Sequence, residues 1–559
     1  MFNENKIWFA KSGEEKIFIY PKMANRHGMI AGATGTGKTV TLKVLAESFS
    51  SFGIPVFLAD VKGDLAGMCN PGLETEDMKS RIDKFNLEPE GFKFTSFPTV
   101  FWDVYGEKGL PLRTTVSEMG PILLSRILGL NEVQSDILSV IFKIADDENL
   151  LLIDIKDLKS MLTYVGEHSS DFSLSYGNIS KQSLGSIIRS VIALESEGGD
   201  LFFGEPALDI RDWITCDYTG KGNIQVLDCQ KLINNPTMYS TFLLWMLSEL
   251  YETLPEAGDL ERPRIVFFFD EAHLLFDSAS KALLEKIEQI VKLIRSKGVG
   301  IFFITQNPKD IPDGVLSQLG TKIQHALRAY TPSELKAAKA ACMSFRENPE
   351  FDTFETLTSL GIGEAIVSVL DEQAVPTIVK RCNILPPQSQ MGCIDGSVRD
   401  SQIKSSMLYV KYIESVDRDS AYEFLQRKAV SDEEERVRLA EEAAAEKLRL
   451  KEEAAAQKAA EKVAIAEQKA LEKQALAEQK AAEKAALAEQ KAAEKAALNR
   501  QKAVKSATKS VASSVTGTVG REAGKALGGA VGGKFGKTLG GNVGASLGRG
   551  IVGTLFKLK

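Results

Sequence analysis

A chain of 559 residues with an ordinary apolar share of 44% can hold two or three domains and a sizeable core. Its formal net charge of −7 argues against a protein that coats nucleic acid by bulk charge, yet residues 501–559 carry ten Lys or Arg against the single acid Glu522, about +9 there and about −16 elsewhere. Six scattered cysteines without a C-x-x-C pair exclude a disulfide framework or zinc cage, and no leader or run of about 18 apolar residues is present, so the expectation is a reduced cytoplasmic protein.

In chain order, the short apolar runs at 28–32, 54–60, 223–228, 264–270, 298–305 and 363–370 read as buried parallel strands, each rich in β-branched or aromatic residues. Helical patterns lie between them. In "ALLEKIEQIVKLIRSKG" (282–298), Leu284, Ile287, Val291 and Ile294 share one face. This alternation predicts a doubly wound α/β domain over residues 1–425. Residues 115–200, poor in strand signals, read as a helical insertion between the second and third core strands.

Residues 426–503 collapse to Ala, Glu, Lys, Gln and Leu with a period of eleven kept by Ile465, Leu476, Leu487 and Leu498. One long helix is expected, either a solvated spacer or a coiled coil, and the period favours a right-handed supercoil if such helices associate. Residues 504–559 form a basic tail with glycine every fourth residue from Gly520 to Gly548. Eight glycines oppose an isolated helix by roughly 7 kcal/mol, so two shorter helices, breaking near Gly540-Gly541-Asn542, or a segment that orders on contact are expected. Small residues and cations without acids suit an anionic membrane surface or a protein partner, which would make the protein peripheral to the inner membrane. A solvated tail is the plain alternative.

"GATGTGKT", Gly32 to Thr39, follows a strand and opens a helix, the context that makes G-x-x-x-x-G-K-[ST] a phosphate-binding loop. Gly32, Ala33, Thr34, Gly35, Thr36 and Gly37 let successive N–H groups face phosphate oxygens, Lys38 reaches the outer phosphates of ATP, and Thr39 offers a hydroxyl to Mg²⁺. The strand "RIVFFFDE" then brings Asp270 to its carboxyl end for the metal and Glu271 to orient the attacking water. The spelling Asp270-Glu271-Ala272-His273 is that of a class of helicases, but that class follows it with a Ser-Ala-Thr-like coupling motif and a Gln-Arg-x-Gly-Arg-type motif in a second lobe, whereas here "GVGIFFITQNPKDIP" follows, and the spelling is read as a coincidence. His273 is read as a packing residue. The next strand ends in Thr305 and Gln306, a polar tip suited to the γ-phosphate or the water.

Together "NRHGMIAGATGTGKTVTL", "ADVKGDL", "FFFDEAHLLF", "IRSKGVGIFFITQNP" and "HALRAYTP" resemble the HerA-like branch of the FtsK–HerA ATPases, in particular its compact bacterial YjgR-type group. The resemblance covers roughly residues 15–425. It implies a RecA-like P-loop NTPase fold with a mainly parallel sheet, ATP and Mg²⁺ as ligands, and a homo-oligomer, often a hexameric ring. It further implies an arginine reaching the next subunit's site, either Arg295 or Arg328, and a place for Asp60 and Lys62 in the nucleotide site, on a strand read as lying beside the P-loop strand. An ordinary strand-end turn is the competing reading of Asp60. Full HerA proteins carry an N-terminal β-barrel, whereas about 25 residues precede the P-loop region here, so inferences that rest on that barrel do not transfer. The expected function is a DNA-translocating ATPase; an ATP-gated scaffold and a protein-translocating ATPase are the alternatives.

Overall fold

The computed structural model describes residues 2–498 except 4, 259, 278–280, 329 and 330. The basic tail at 504–559, the last five residues of the 426–503 segment and the helix break expected at Gly540 lie outside the described residues.

Among the described residues thirteen strands form one sheet: β1 (Phe2–Asn3), β2 (Lys6–Ser12), β3 (Glu15–Ile19), β4 (Gly28–Ala31), β5 (Val56–Asp60), β6 (Thr99–Asp103), β7 (Leu110–Pro111), β8 (Ile224–Asp228), β9 (Ile265–Phe269), β10 (Val299–Thr305), β11 (Thr321–His325), β12 (Glu364–Ser368) and β13 (Lys380–Ile384). Their order is β1-β2-β13-β12-β11-β4-β10-β9-β5-β8-β6-β7, with β3 paired to β2. From β11 to β7 every pairing is parallel; β12, β13, β2, β3 and β1 form an antiparallel wing.

The central strands are apolar throughout because helices cover both faces of the sheet. Along β9, Ile265, Phe267 and Phe269 enter one core cluster while Val266 and Phe268 enter the other. β10 divides the same way, with Val299, Ile301 and Phe303 on one face and Phe302 and Ile304 on the opposite face. The first cluster also receives the insertion, whose helices include Val116–Ile127, Glu132–Asp147, Ile155–Glu167 and Lys181–Leu194. Capping boxes at Thr115, Asn131 and Asp154 fix where three of them begin. The result is an α/β domain of RecA-like P-loop type with a helical insertion.

Four sequence expectations change. The run at 363–370 yields β12, which is antiparallel to both neighbours, so it belongs to the wing and not to the parallel core. β5, which ends in Asp60, does not lie beside the P-loop strand β4: β10 and β9 stand between them. Two further strands, β6 and β7, precede the insertion. The predicted helix over 282–298 spans Lys281–Leu293 and tightens into a 3₁₀ turn, Ile294–Lys297. Leu283, Ile287, Ile290, Val291 and Ile294 are its buried residues, while Leu284 sits at the rim.

Two compact units divide the chain, Met1–Leu439 and Ala440–Lys559. A single helix, Ala421–Leu498, begins in the first unit, where Ala421 and Leu425 are buried and Lys428 Nζ donates to Tyr164 Oη at 2.6 Å. From Ala440 to Lys491 every side chain on it is exposed, Ile465, Leu476 and Leu487 included. No helix among the described residues is long and apolar enough to cross a membrane.

Candidate nucleotide-binding site

Parallel pairing places the carboxyl ends of β4, β10, β9 and β5 side by side on one edge of the sheet. In open α/β sheets this edge is where ligands bind. The segments that leave it carry, in spatial order, the Gly32–Thr39 loop, Gln306, Asp270-Glu271 and Asp60 with Lys62.

The loop is held from behind. Gly32 N–H donates to Thr305 O at 3.3 Å, Ala33 N–H to Ala326 O at 2.9 Å, and Gly363 N–H to Thr36 O at 3.1 Å. Gly35 (φ 77°) and Gly37 (φ 112°) take backbone conformations that side chains resist. At Gly32 the constraint is also space: an added Cβ would stand 2.5 Å from His325 Cβ. The helix Lys38–Ser51 starts after Gly37 with no side-chain cap, so its first N–H groups have no side-chain acceptor. Lys38 Nζ donates to the carbonyls of Gly32 (2.6 Å) and Ala33 (3.0 Å). Further along this helix Glu47 accepts from Gln388 N–H at 2.7 Å and Ser389 N–H at 3.1 Å, and Lys43 donates to Gln390 O, so a strap at 388–390 fixes the helix in place.

Electrostatics tie these parts together. Burial lowers the Lys38 pKa, opposed by the charges of Asp270 and Glu271 and assisted by Lys62. Burial and the neighbouring Glu271 push Asp270 up to about 6, against a bond from Glu271 N–H to its Oδ1 (2.9 Å) and the nearby Lys62 and Lys38. Glu271 sits at φ 49°, a left-handed conformation unusual for a side-chain-bearing residue. Its Oε2 is buried with no hydrogen-bond partner among the described residues; His273 Nδ1 stands 3.4 Å away without hydrogen-bond alignment. His273, read from sequence as a packing residue, therefore faces the second carboxylate.

Asp60 is almost fully buried, and its carboxylate accepts from the N–H groups of Gly63 (2.7 Å), Asp64 (3.1 Å) and Leu65 (3.1 Å). Burial, with Asp64 and Asp228 adding like charge, raises it to about 7 despite those bonds. Its visible work is to shape the loop that carries Lys62. Gln306 is exposed at the tip of β10. Arg295 is on the other side of the sheet, in the turn that leads into the amino end of β10, away from its own Lys38. Arg328, the alternative, is exposed just after β11.

Three contributors escape sequence reasoning. Tyr239, fully buried in the helix Pro236–Thr253, donates its hydroxyl to Asp270 O at 2.6 Å. His325, sealed behind the loop, bonds Glu364 O (2.9 Å) and Thr41 Oγ1 (2.8 Å). Arg126 of the insertion donates to Leu274 O and Leu275 O (3.4 Å each), Asp277 O (3.3 Å) and Ser240 Oγ (3.0 Å), gripping the short helix His273–Phe276 that follows Glu271. Each sits far along the chain from its partners; His325 opens "HALRAYTP", but nothing in those letters points to Glu364 or Thr41.

The sequence profile described as Helicase HerA-like C-terminal matches residues 5–536. The DNA double-strand break repair helicase HerA of Sulfurisphaera tokodaii is 24% identical over 393 residues, 68% of this chain and 70% of that protein. A probable helicase of Methanocaldococcus jannaschii is 34% identical over 167 residues, and the match covers 28% of this chain but only 30% of that protein's length. Among solved structures, the plasmid coupling protein TrwB with a non-hydrolysable ATP analogue superposes over 70% of this chain and 96% of its own, at 13% identity and a TM-score of 0.45. The profile match runs through the Gly32–Thr39 loop, the Asp270-Glu271 strand end and the Gln306 tip: the protein belongs to the helicase HerA-like C-terminal family.

Proposed function

We propose that the protein is a Mg²⁺-dependent ATPase motor that works as a hexameric ring and moves along duplex DNA. The observation that carries this reading is the meeting, on one parallel edge, of a glycine-bounded loop with Lys38 and two half-buried carboxylates, Asp270 and Glu271, whose charges Lys38 feels. Two adjacent half-buried acids, one with an oxygen (Glu271 Oε2) that has no hydrogen-bond partner among the described residues, fit a cation, and Thr39 and Asp270 are the oxygen donors that would hold the ion. When bound, Mg²⁺ would neutralise charge on the outer phosphates.

In this reading the N–H groups of Thr34, Gly35, Thr36 and Gly37 and the helix N-terminus hold the phosphates, those of Gly32 and Ala33 anchor the loop to Thr305 O and Ala326 O, and Lys38 swings from its carbonyl contacts to reach the phosphates. Glu271 orients water, with Tyr239 fixing the backbone before it, and Gln306 touches the γ-phosphate side. Asp60 acts through its loop and Lys62, not by touching nucleotide. Arg295 serves a neighbouring copy; its distance from its own Lys38 is what a residue donated to another subunit requires. Relatives named as DNA double-strand break repair helicases support DNA as the track.

The test is steady-state ATP hydrolysis by the full chain with and without duplex DNA, with Lys38→Ala as the blank. Turnover that rises several-fold with duplex DNA is expected. Turnover indifferent to DNA would remove DNA as the track and leave a protein cargo, and ATP-dependent assembly without turnover would replace the motor with a nucleotide-gated scaffold.

A further inference from the structure

A triphosphate held by the Gly32–Thr39 loop has a direction. Its outer phosphates point toward Gln306 and the Asp270-Glu271 pair, which follow β10 and β9. Its nucleoside therefore leaves on the other side of β4, toward β11 and the antiparallel wing. β12 runs against β11, with Ala365 beside His325, so the amino end of β12 lies on the same edge of the sheet as the loop. The segment that enters β12 there is Leu360-Gly361-Ile362-Gly363.

This segment is braced at each residue. Leu360 is buried in a small apolar cluster with Leu357 and Ile366. Gly361 N–H donates to Glu364 Oε2 at 2.8 Å, and Arg381 Nη2 donates to the same oxygen at 2.8 Å. Arg81 Nη2, from the helix Glu76–Lys84, donates to Ile362 O at 3.3 Å. Gly363 sits against the phosphate loop itself: its N–H donates to Thr36 O at 3.1 Å, and a Cβ added at Gly37 would stand 3.3 Å from Gly363 Cα. Gly363 is at φ 77°, and a Cβ added there would stand 2.8 Å from the Arg81 guanidinium.

The bracing leaves the Ile362 side chain outside, 70% exposed. A single exposed apolar residue is ordinary on a protein surface and by itself points to nothing. Ile362 differs in its place. A fixed backbone displays it one residue from the contact with the phosphate loop, on the side where the nucleoside emerges. A branched aliphatic side chain there offers an apolar surface to a flat heterocycle, and covering it takes both out of water.

We infer that Ile362 is the seat of the nucleotide's base: the face of the ring lies on its side chain, while Arg81 holds the segment in place through the Ile362 carbonyl. The inference rests on the reading of Gly32–Thr39 as the triphosphate loop. It adds that affinity for ATP is divided between a phosphate end at that loop and a base end on the wing.

Calorimetry on the full-length protein with Mg²⁺ separates the two ends. One ligand is a non-hydrolysable ATP analogue, which has a base; the other is inorganic tripolyphosphate, which has none. Ile362→Ala should weaken the analogue roughly tenfold, the order of effect expected for the apolar area left uncovered, and leave tripolyphosphate unchanged. Ile362→Leu should keep most of the analogue's affinity. An unchanged melting temperature verifies that the fold is kept. Equal affinity of the natural protein and Ile362→Ala for the analogue overturns the inference. So does a matched fall for both ligands, because the residue would then act through Gly363 on the phosphate loop. Lys38→Ala tests the underlying reading separately, since it should weaken both ligands. Undiminished binding of both to that variant would remove the loop as the phosphate site, and the base seat with it, whatever Ile362→Ala does.

Discussion

His27 and His325 are buried as neutral rings, one bracing β10 from beneath and the other backing the P-loop. Each is held at a pKa of about 4, burial being the main cause, against 6.5 for an ordinary histidine. At these two rings the unfolded chain therefore binds more protons than the folded one between pH 6.5 and 4, and their contribution to stability is whole above pH 6.5 and is lost as pH falls toward 4, by roughly 3 kcal/mol for each ring. Asp60 and Asp270, raised to about 7 and about 6, titrate over the same range with the opposite sign, so the ring is isolated by difference. In urea melts at stepped pH the natural protein should lose roughly 3 kcal/mol relative to His27→Gln between pH 6.5 and 4; a difference that does not change with pH would mean the ring is solvated. The same residues mark what sequence can and cannot tell. Gly32, Lys38, Thr39, Asp270 and Glu271 were legible because their chemistry lies in contiguous letters. His325 and Tyr239 were not: their roles come from contacts 284 and 31 residues away along the chain.

At the scale of elements, β4, β5, β8, β9 and β10 could be read from sequence because covering both faces of a strand leaves an unbroken apolar run. β11, "TKIQH", could not, since Gln324 and His325 are polar residues buried at the sheet's centre. The orientation of β12 was hidden for a different reason: composition records burial, not direction. The insertion was visible as helical, but its bearing on the site rests on Arg126 alone. That side chain caps the helix His273–Phe276, which starts two residues past Glu271. Arg126→Ala should slow ATP turnover about tenfold by loosening Glu271, while nucleotide affinity stays unchanged. Equal turnover in the two proteins would show that the insertion does not position the carboxylate.

For the whole molecule, all three apolar clusters lie within Met1–Leu439, their last member being Leu425. A chain ending at Leu439 should then unfold in one transition within a few degrees of the full protein by scanning calorimetry, whereas a cut near residue 425 removes the Lys428–Tyr164 bond and a turn packed on the insertion. A marked fall in melting temperature after the cut at Leu439 would mean that the exposed helix beyond it contributes to the fold. That helix needs no core: its Ala, Glu, Lys and Leu favour helix, and pairs such as Arg436–Glu433 add small local support.

The account turns on Lys38 and the two carboxylates acting on one triphosphate. Phosphate release from Mg²⁺·ATP, measured on the full chain, tests this most directly. Steady release is expected from the natural sequence, none above background from Lys38→Ala, and a loss of roughly a hundredfold or more in Glu271→Gln with nucleotide still bound. Undiminished release from either variant would contradict it.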